Sequence, residues 1–343
     1  MGDAERYSRQ ILFAPLGAAG QHRLSQARIA IVGCGALGTA QADLLVRAGV
    51  GELLLLDRDY VEFSNLQRQT LFAEHDAEAG LPKAVAAKAR LERVNSSVRI
   101  ESAVTDLEPG NIERLLAGRD LLLDGTDNLE TRYLLNDFSI AHAVPWIYGA
   151  AVAARGLSFT VLPGETACLE CLFPGGSSDE PLRDTCDTAG VLAWTIAWVA
   201  ALQVAEAVKL LTGNRAALRA TLVSADLWTN EFRSLAAPAR DPECRACARR
   251  DFVHLRGERR AALTLCGRNA VQIHEHLHPL ALAELAVRLR PHGLVRSNEF
   301  ALRFVPTTPS GLELMIFPDG RALIKGTTEP GLARSLYARY VGA

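Results

Sequence analysis

A short apolar run, Ala27 to Val32, breaks into Gly33-Cys34-Gly35-Ala36-Leu37-Gly38 and leads into Ala36 to Ala48, a stretch of helix-forming composition. Strand, glycine turn and helix in that order commit this part of the chain to a βα unit. Glycine tolerates dihedrals closed to other residues, and its missing side chain lets backbone amides approach phosphate oxygens at the positive end of the helix. A second apolar run, Leu53 to Leu56, ends at Asp57, 24 residues after Gly33. An acid at that offset, at the end of the second strand, can accept hydrogen bonds from a ribose. Gly33, Gly35, Gly38 and Asp57 are therefore candidate nucleotide contacts. Thr39 follows Gly38 where a P-loop would need lysine, which excludes that motif.

The next segments add positive charge. Arg68 lies in Ser64-Asn65-Leu66-Gln67-Arg68-Gln69 and Lys83 in Leu81-Pro82-Lys83. Arginine donates in a bidentate fork to phosphate oxygens, and lysine acts as a compact point charge. Pro82 suits the first turn of a helix over Lys83 to Val94, so Lys83 stands at an N-terminus that favours anions. Asp120 to Asp124 reads as a further buried strand, running into Gly125-Thr126-Asp127-Asn128 ahead of a helix over Leu129 to Ala141. Asp127, at that strand's carboxyl end, is a candidate ligand for Mg2+, which takes one or two carboxylates plus phosphate oxygens. Each residue has a plainer reading: Asp127 as a helix cap, Lys83 as a solvated first-turn residue, Arg68 as the partner of an acid. Taken together they point to a triphosphate and away from a pyrophosphate-bridged dinucleotide.

With Arg6-Tyr7-Ser8-Arg9-Gln10, the Asp57-Arg58-Asp59 step, Pro82-Lys83, Asp124 to Asn128 and two Cys-x-x-Cys pairs in the same order, the chain resembles the ThiF/MoeB family over roughly residues 5 to 250. These proteins are bacterial relatives of ubiquitin-activating enzymes. The resemblance implies a doubly wound, Rossmann-like α/β fold with a mostly parallel sheet and a zinc-clamped extension. It also implies that ATP adenylates the C-terminal glycine of a ubiquitin-like sulfur carrier ending in Gly-Gly, of the ThiS or MoaD type, for thiamine, molybdopterin or related sulfur-transfer biosynthesis. Carried over by position, Asp57 binds the ribose, Arg68 and Lys83 the phosphates and Asp127 the Mg2+. Asn65 and Asn128 lie inside the matched motifs and join the nucleotide-binding set. Arg9 is expected to reach the polyphosphate from the other subunit of a homodimer. The match departs from the family in carrying Cys34 and Ala36 within the glycine turn, and in a loop about two residues longer around Glu74 to Ala79.

A carboxylate nucleophile is already ionised near neutral pH, so adenylation needs charge neutralisation and in-line positioning and no general base. His274, His276 and His278 accordingly read as surface or packing residues.

Seven cysteines without a signal peptide suggest a reducing cytoplasm, where thiols bind metal or react. Cys168-Leu169-Glu170-Cys171 and Cys244-Arg245-Ala246-Cys247, separated by 72 residues, can supply a closed, structural four-thiolate zinc site; a redox pair is the rival reading. Cys34 and Cys266 read as packing residues. Cys186 follows a stretch rich in Gly, Ser, Asp and Pro, and the family places there a cysteine implicated in covalent sulfur or acyl transfer in some members. Asp184 and Asp187 beside it disfavour the thiolate, which leaves a spare loop thiol as the alternative.

Domains are expected over residues 1–250, for ATP binding and adenylation, and 251–343, a small α+β domain with strands at Arg260 to Leu265, Glu299 to Val305, Leu312 to Phe317 and Arg321 to Lys325 and helices at Pro279 to Leu289 and Pro330 to Tyr340. This tail does not resemble a rhodanese, so sulfur is expected from a separate protein. From Cys244 onward 15 Lys or Arg stand against 8 Asp or Glu, within a chain of net charge −2. That surplus could attract an acidic protein carrier or RNA, or be a solvated face without a partner; of these, no nucleic-acid partner is expected. The most apolar stretch, Ala189 to Leu202, is too short to span a membrane and reads as a buried helix. Two other classes stay open: a nicotinamide-dependent oxidoreductase, and a non-catalytic dimer partner of the same fold.

Overall fold

The computed structural model describes residues 3–175, 186–258, 264–265, 270–274 and 280–342. The chain forms two compact units, residues 1–260 and 261–343. Phe252 and Leu255 pack into the core of the first, which therefore extends to that point.

The first unit is built on eight strands: β1 (Arg28–Val32), β2 (Glu52–Asp57), β3 (Arg99–Val104), β4 (Leu121–Asp124), β5 (Trp146–Val152), β6 (Arg155–Val161), β7 (Thr221–Asp226) and β8 (Glu231–Ala236). Their order in the sheet is β3-β2-β1-β4-β5-β6-β7-β8. The first five are mutually parallel. From β5 to β8 the pairing is antiparallel, an extension that the sequence pattern did not reveal.

Successive side chains on a strand point to opposite faces. Ile29 and Ile31 of β1 join Leu53 and Leu55 of β2 on one face, against Leu45 and Leu91 of the helices Ala36–Ala48 and Lys83–Val94. Ala30 and Val32 join Leu54 and Leu56 on the other face, with Tyr133 and Phe138 of the helix Leu129–His142. A parallel sheet covered on both sides needs near-continuous apolar strands, which is why Arg28–Val32 and Glu52–Asp57 show no polar alternation.

The apolar stretch read as Ala189 to Leu202 forms a helix with other bounds, Ala193–Leu211, and at 19 residues it is longer than the run judged too short to span a membrane, because Gln203, Glu206 and Lys209 continue the helix and do not end it. It is long and apolar enough to cross a membrane by length and composition alone. In the fold it packs on the helix Ala36–Ala48 and on β5 and β6, and buries Gln203 and Glu206. Glu206 is held by Lys209 and Arg219, so its charge is paired within the unit.

The N-terminal arm is docked at one end of this layer. The side chain of Gln10 donates to the Ala48 carbonyl (2.9 Å), that of Asn95 donates to the Tyr7 hydroxyl (2.8 Å), and Arg6 donates to the Val94 carbonyl (3.1 Å). Gly49, at φ +83°, ends the helix Ala36–Ala48, and a β-carbon there would lie 2.4 Å from the Tyr7 ring. The arm therefore sits against the carboxyl ends of the helices Ala36–Ala48 and Lys83–Val94.

Among its described residues the second unit has six strands, β9 (Thr264–Leu265), β10 (Ala270–His274), β11 (Gly293–Ser297), β12 (Leu302–Pro306), β13 (Glu313–Ile316) and β14 (Arg321–Lys325), in the antiparallel order β11-β12-β13-β14-β10-β9. Its core also takes in the helices Leu282–Leu289 and Pro330–Tyr340. β10 and β11 went unrecognised in the sequence, being short runs interrupted by polar residues. Cys266, His276 and His278 lie outside the described residues, as does the side chain of His274.

Candidate functional site

In the order β3-β2-β1-β4-β5 the chain runs outward in both directions from the β1–β4 pair, so the crevice at the carboxyl ends of β1 and β4 is the topological switch point where ligands bind in open α/β sheets. Gly33 leaves β1 there with φ +93°. Its amide donates to the Leu56 carbonyl (2.7 Å), and the Gly125 amide donates to the Val32 carbonyl (2.8 Å). The two turns touch: a β-carbon on Gly33 would lie 2.5 Å from the Gly125 carbonyl oxygen, and one on Gly38 only 1.8 Å from the Gly33 carbonyl oxygen. At Gly35 the nearest atom would be 4.0 Å away. Gly33 and Gly38 are thus required by packing, while the space beside Gly35 stays open at the N-terminus of the helix Ala36–Ala48.

Asp57 ends β2 beside this turn. Its carboxylate accepts the amides of Cys34 (2.6 Å) and Asp59 (2.7 Å). Burial pushes its carboxyl above the ordinary aspartate value, against the opposing pull of Lys83 and the two amides. Cys34 is buried, and its thiol is pushed well up by burial and by Asp57, so it is inert, as a packing residue should be.

Lys83 is not a solvated first-turn residue. It is 5% exposed, its Nζ lies 3.2 Å from Asp59 Oδ2, and its amide donates to the Asp59 carbonyl (2.9 Å). Residues 61–81 form an excursion closed at its base by the Val61 amide donating to the Leu81 carbonyl (2.8 Å). Arg68 rides on that excursion, partly exposed, with Nη1 donating to the Ser64 carbonyl (2.8 Å). Buried Asn65 shapes the same excursion: its Oδ1 accepts the Glu62 amide (3.1 Å).

Asp127 is exposed after β4, within electrostatic reach of Arg58 and Arg132. The cap of the following helix is Asn128, whose Oδ1 accepts the Thr131 amide (2.8 Å). Arg9 lies on the short helix Ser8–Ile11, exposed and without a hydrogen bond or ion pair among the described residues. Cys186 opens the short helix Cys186–Ala189; its side chain lies outside the described residues.

Several supporting residues were not read from the sequence. Fully buried Asp124 accepts from Arg132 Nε (2.9 Å), the Thr126 amide (2.9 Å) and the Thr126 hydroxyl (2.7 Å). Arg132 also donates to the carbonyls of Thr126 (2.7 Å) and Gly149 (3.1 Å), which ties the Gly125–Asp127 turn to β5. Gln41 and Gln203 both donate to the Asp124 carbonyl (2.9 and 3.0 Å). Arg58 pairs with Asp106 at 2.7 Å. The local signals were the Asp57-Arg58-Asp59 step and the Asp124 to Asn128 motif, while Asp106, Gln41 and Gln203 reach these motifs from tens of residues away.

The four cysteines of the two Cys-x-x-Cys turns converge, all sulfurs lying within 4.8 Å of one another. The shorter separations are 3.8 Å (Cys168–Cys171), 3.7 Å (Cys168–Cys244) and 3.4 Å (Cys171–Cys247). A tetrahedron of Zn–S bonds of about 2.3 Å puts its sulfurs ~3.8 Å apart, so the set could hold one zinc ion. The sulfurs are far beyond the ~2.05 Å of a disulfide, and all four thiols are free.

Residues 7–246 match the ThiF family. The chain is 44% identical over 344 residues to the sulfur carrier protein ThiS adenylyltransferase of Bacillus subtilis (strain 168), covering 98% of this chain and 99% of that protein. It is 39% identical over 246 residues to the molybdopterin-synthase adenylyltransferase of Escherichia coli (strain K12), covering 71% of this chain and 95% of that one. Among solved structures, E. coli MccB has the same fold, with a TM-score of 0.63 at 22% identity over 71% of this chain and 72% of that one. On the matched span, the identities and the glycine turn at the switch point, the chain belongs to the ThiF family.

Proposed function

We propose that this chain adenylates the C-terminal glycine carboxylate of a ubiquitin-like sulfur carrier protein with ATP, releasing pyrophosphate. The observation that carries this reading is the 44% identity to a ThiS adenylyltransferase across essentially the whole of both chains. That span also favours a ThiS-type carrier over a MoaD-type one, since the molybdopterin-synthase relative covers 71% of this chain.

The reaction joins a carboxylate oxygen to the α-phosphorus and breaks the bond to the bridging oxygen, so pyrophosphate leaves with the electron pair. Two anions must meet, and the chain's task is to offset charge and hold alignment. Asp57 accepts from the ribose and Gly35 leaves room for the phosphates. Arg68 and Lys83 neutralise them, and Asp127 would hold Mg2+, which would supply further charge neutralisation at the phosphates. Asn65 and Asn128 shape the loops that carry these groups. Zinc in the Cys168, Cys171, Cys244 and Cys247 cluster is structural. Cys186 is a candidate for a later covalent step, with sulfur delivered by a separate donor in the cytoplasm.

Arg9 acts in a second copy of the chain. Its neighbour Gln10 is bonded at Ala48, the far end of a 13-residue helix whose first turn carries the phosphate site. Such a helix is about 20 Å long, more than an arginine can span, so within its own chain Arg9 stays remote from the Gly33 turn. Leu12 and Phe13 beside it are 73% and 65% exposed and suit a subunit contact.

ATP–pyrophosphate exchange tests the reading. Exchange is expected with a carrier ending in Gly-Gly and not with the same carrier lacking its last glycine. Absence of exchange with every Gly-Gly carrier would overturn it.

A further inference from the structure

The two halves of the cysteine cluster are joined by more than their sulfurs. Each Cys-x-x-Cys turn carries one charged residue between its cysteines, Glu170 in the first and Arg245 in the second. Arg245 Nη2 donates to Glu170 Oε2 (2.9 Å) and lies 3.3 Å from Asp137 Oδ1 on the helix Leu129–His142, while its Nη1 donates to the Asp251 carbonyl. Glu170 Oε1 accepts the Gly175 amide (3.2 Å). Asp137 Oδ2 accepts the His254 amide (3.0 Å), and Asn136 accepts the Leu169 amide (2.8 Å). The Arg245 side chain is 17% exposed, that of Glu170 10% and that of Asp137 0%, so solvent screens this network poorly.

We propose that Arg245 and Glu170 form a clasp that holds the two cysteine turns in register for one metal ion, making them positioning residues for metal retention. The 72 residues between the turns are themselves part of the first unit, and both turns pack into one apolar core; that packing is non-directional, and the clasp adds the directional polar tie that sets the register of one turn against the other. With the clasp closed, the ion meets four sulfurs already gathered. Arg245 is shared between two carboxylates, Glu170 and Asp137, so its contribution to the site is alignment of the turns and not neutralisation of the thiolates. Partners outside a metal's ligand set typically change affinity by about 10- to 100-fold.

The inference rests on zinc occupying this cluster. The full-length protein, purified with zinc and assayed for metal content, is challenged with 4-(2-pyridylazo)resorcinol, and zinc release is followed optically. Arg245→Met and Glu170→Gln should each release zinc roughly 10- to 100-fold more readily, and Arg245→Lys should recover part of the loss. Cobalt-loaded variants should keep the d–d absorption of a tetrahedral thiolate site, marking weaker retention of the same geometry. If the unmodified protein contains no zinc, the zinc assignment itself fails. If it contains zinc and Glu170→Gln, the near-isosteric variant, retains it as tightly as the parent, the clasp is overturned.

Discussion

The carboxylate of Asp57 accepts the amide of Cys34 at 2.6 Å, joining the end of β2 to the glycine turn after β1. The proposed ribose acceptor is thereby a structural brace for the phosphate turn as well. Burial holds its carboxyl above the ordinary aspartate value, whereas an unfolded aspartate titrates near about 3.9. Between those two values the folded chain binds the proton more tightly, so stability from this group is present at low pH and is lost as pH rises through the folded value. Urea melts from acidic to neutral pH should show the parent losing stability relative to Asp57→Asn as pH increases. A relative gain would contradict the assignment.

Arg68 and Lys83 are proposed for the same phosphates but should fail differently. Lys83 is buried against Asp59, so Lys83→Met removes the nearer of the two cations beside that carboxylate, Arg58 lying at 3.8 Å, and should cost about 3 kcal/mol of folding stability as well as exchange activity. Arg68 is partly exposed with one bond to the Ser64 carbonyl; Arg68→Ala should leave stability within about 0.5 kcal/mol while exchange falls about 100- to 1000-fold. Denaturant melts paired with exchange rates separate the two.

The glycines of the turn also divide. A β-carbon on Gly38 would overlap the Gly33 carbonyl, so Gly38→Ala should lower the melting temperature sharply or prevent folding. Gly35→Ala meets nothing closer than 4.0 Å and should fold normally, yet raise the KM for ATP by narrowing the phosphate approach. Equal melting temperatures for the two variants would refute this division.

Arg132 is expected to be structural, with consequences for the site. Arg132→Met strands fully buried Asp124 and should cost about 3 to 5 kcal/mol, and the double variant Asp124→Asn/Arg132→Met should recover part of it. A double-mutant cycle by urea denaturation measures the coupling, and additive losses would count against a tight pair.

The sequence by itself determined the local units. The helices run over Ala36–Ala48, Lys83–Val94 and Pro330–Tyr340 as expected, because residue composition and the Pro82 signal act within a few residues. The gathering of Cys168, Cys171, Cys244 and Cys247 was legible too, since thiol chemistry leaves few reasons for two such turns. Only the tertiary structure decided the rest: that Lys83 is buried against Asp59, that Arg132 braces Asp124, that Arg245 reaches Glu170, and that β6 to β8 extend the sheet antiparallel. Such pairings join residues up to 75 positions apart, and the choice among possible partners is made by burial and competing charges once the sheet has assembled, which local patterning cannot express.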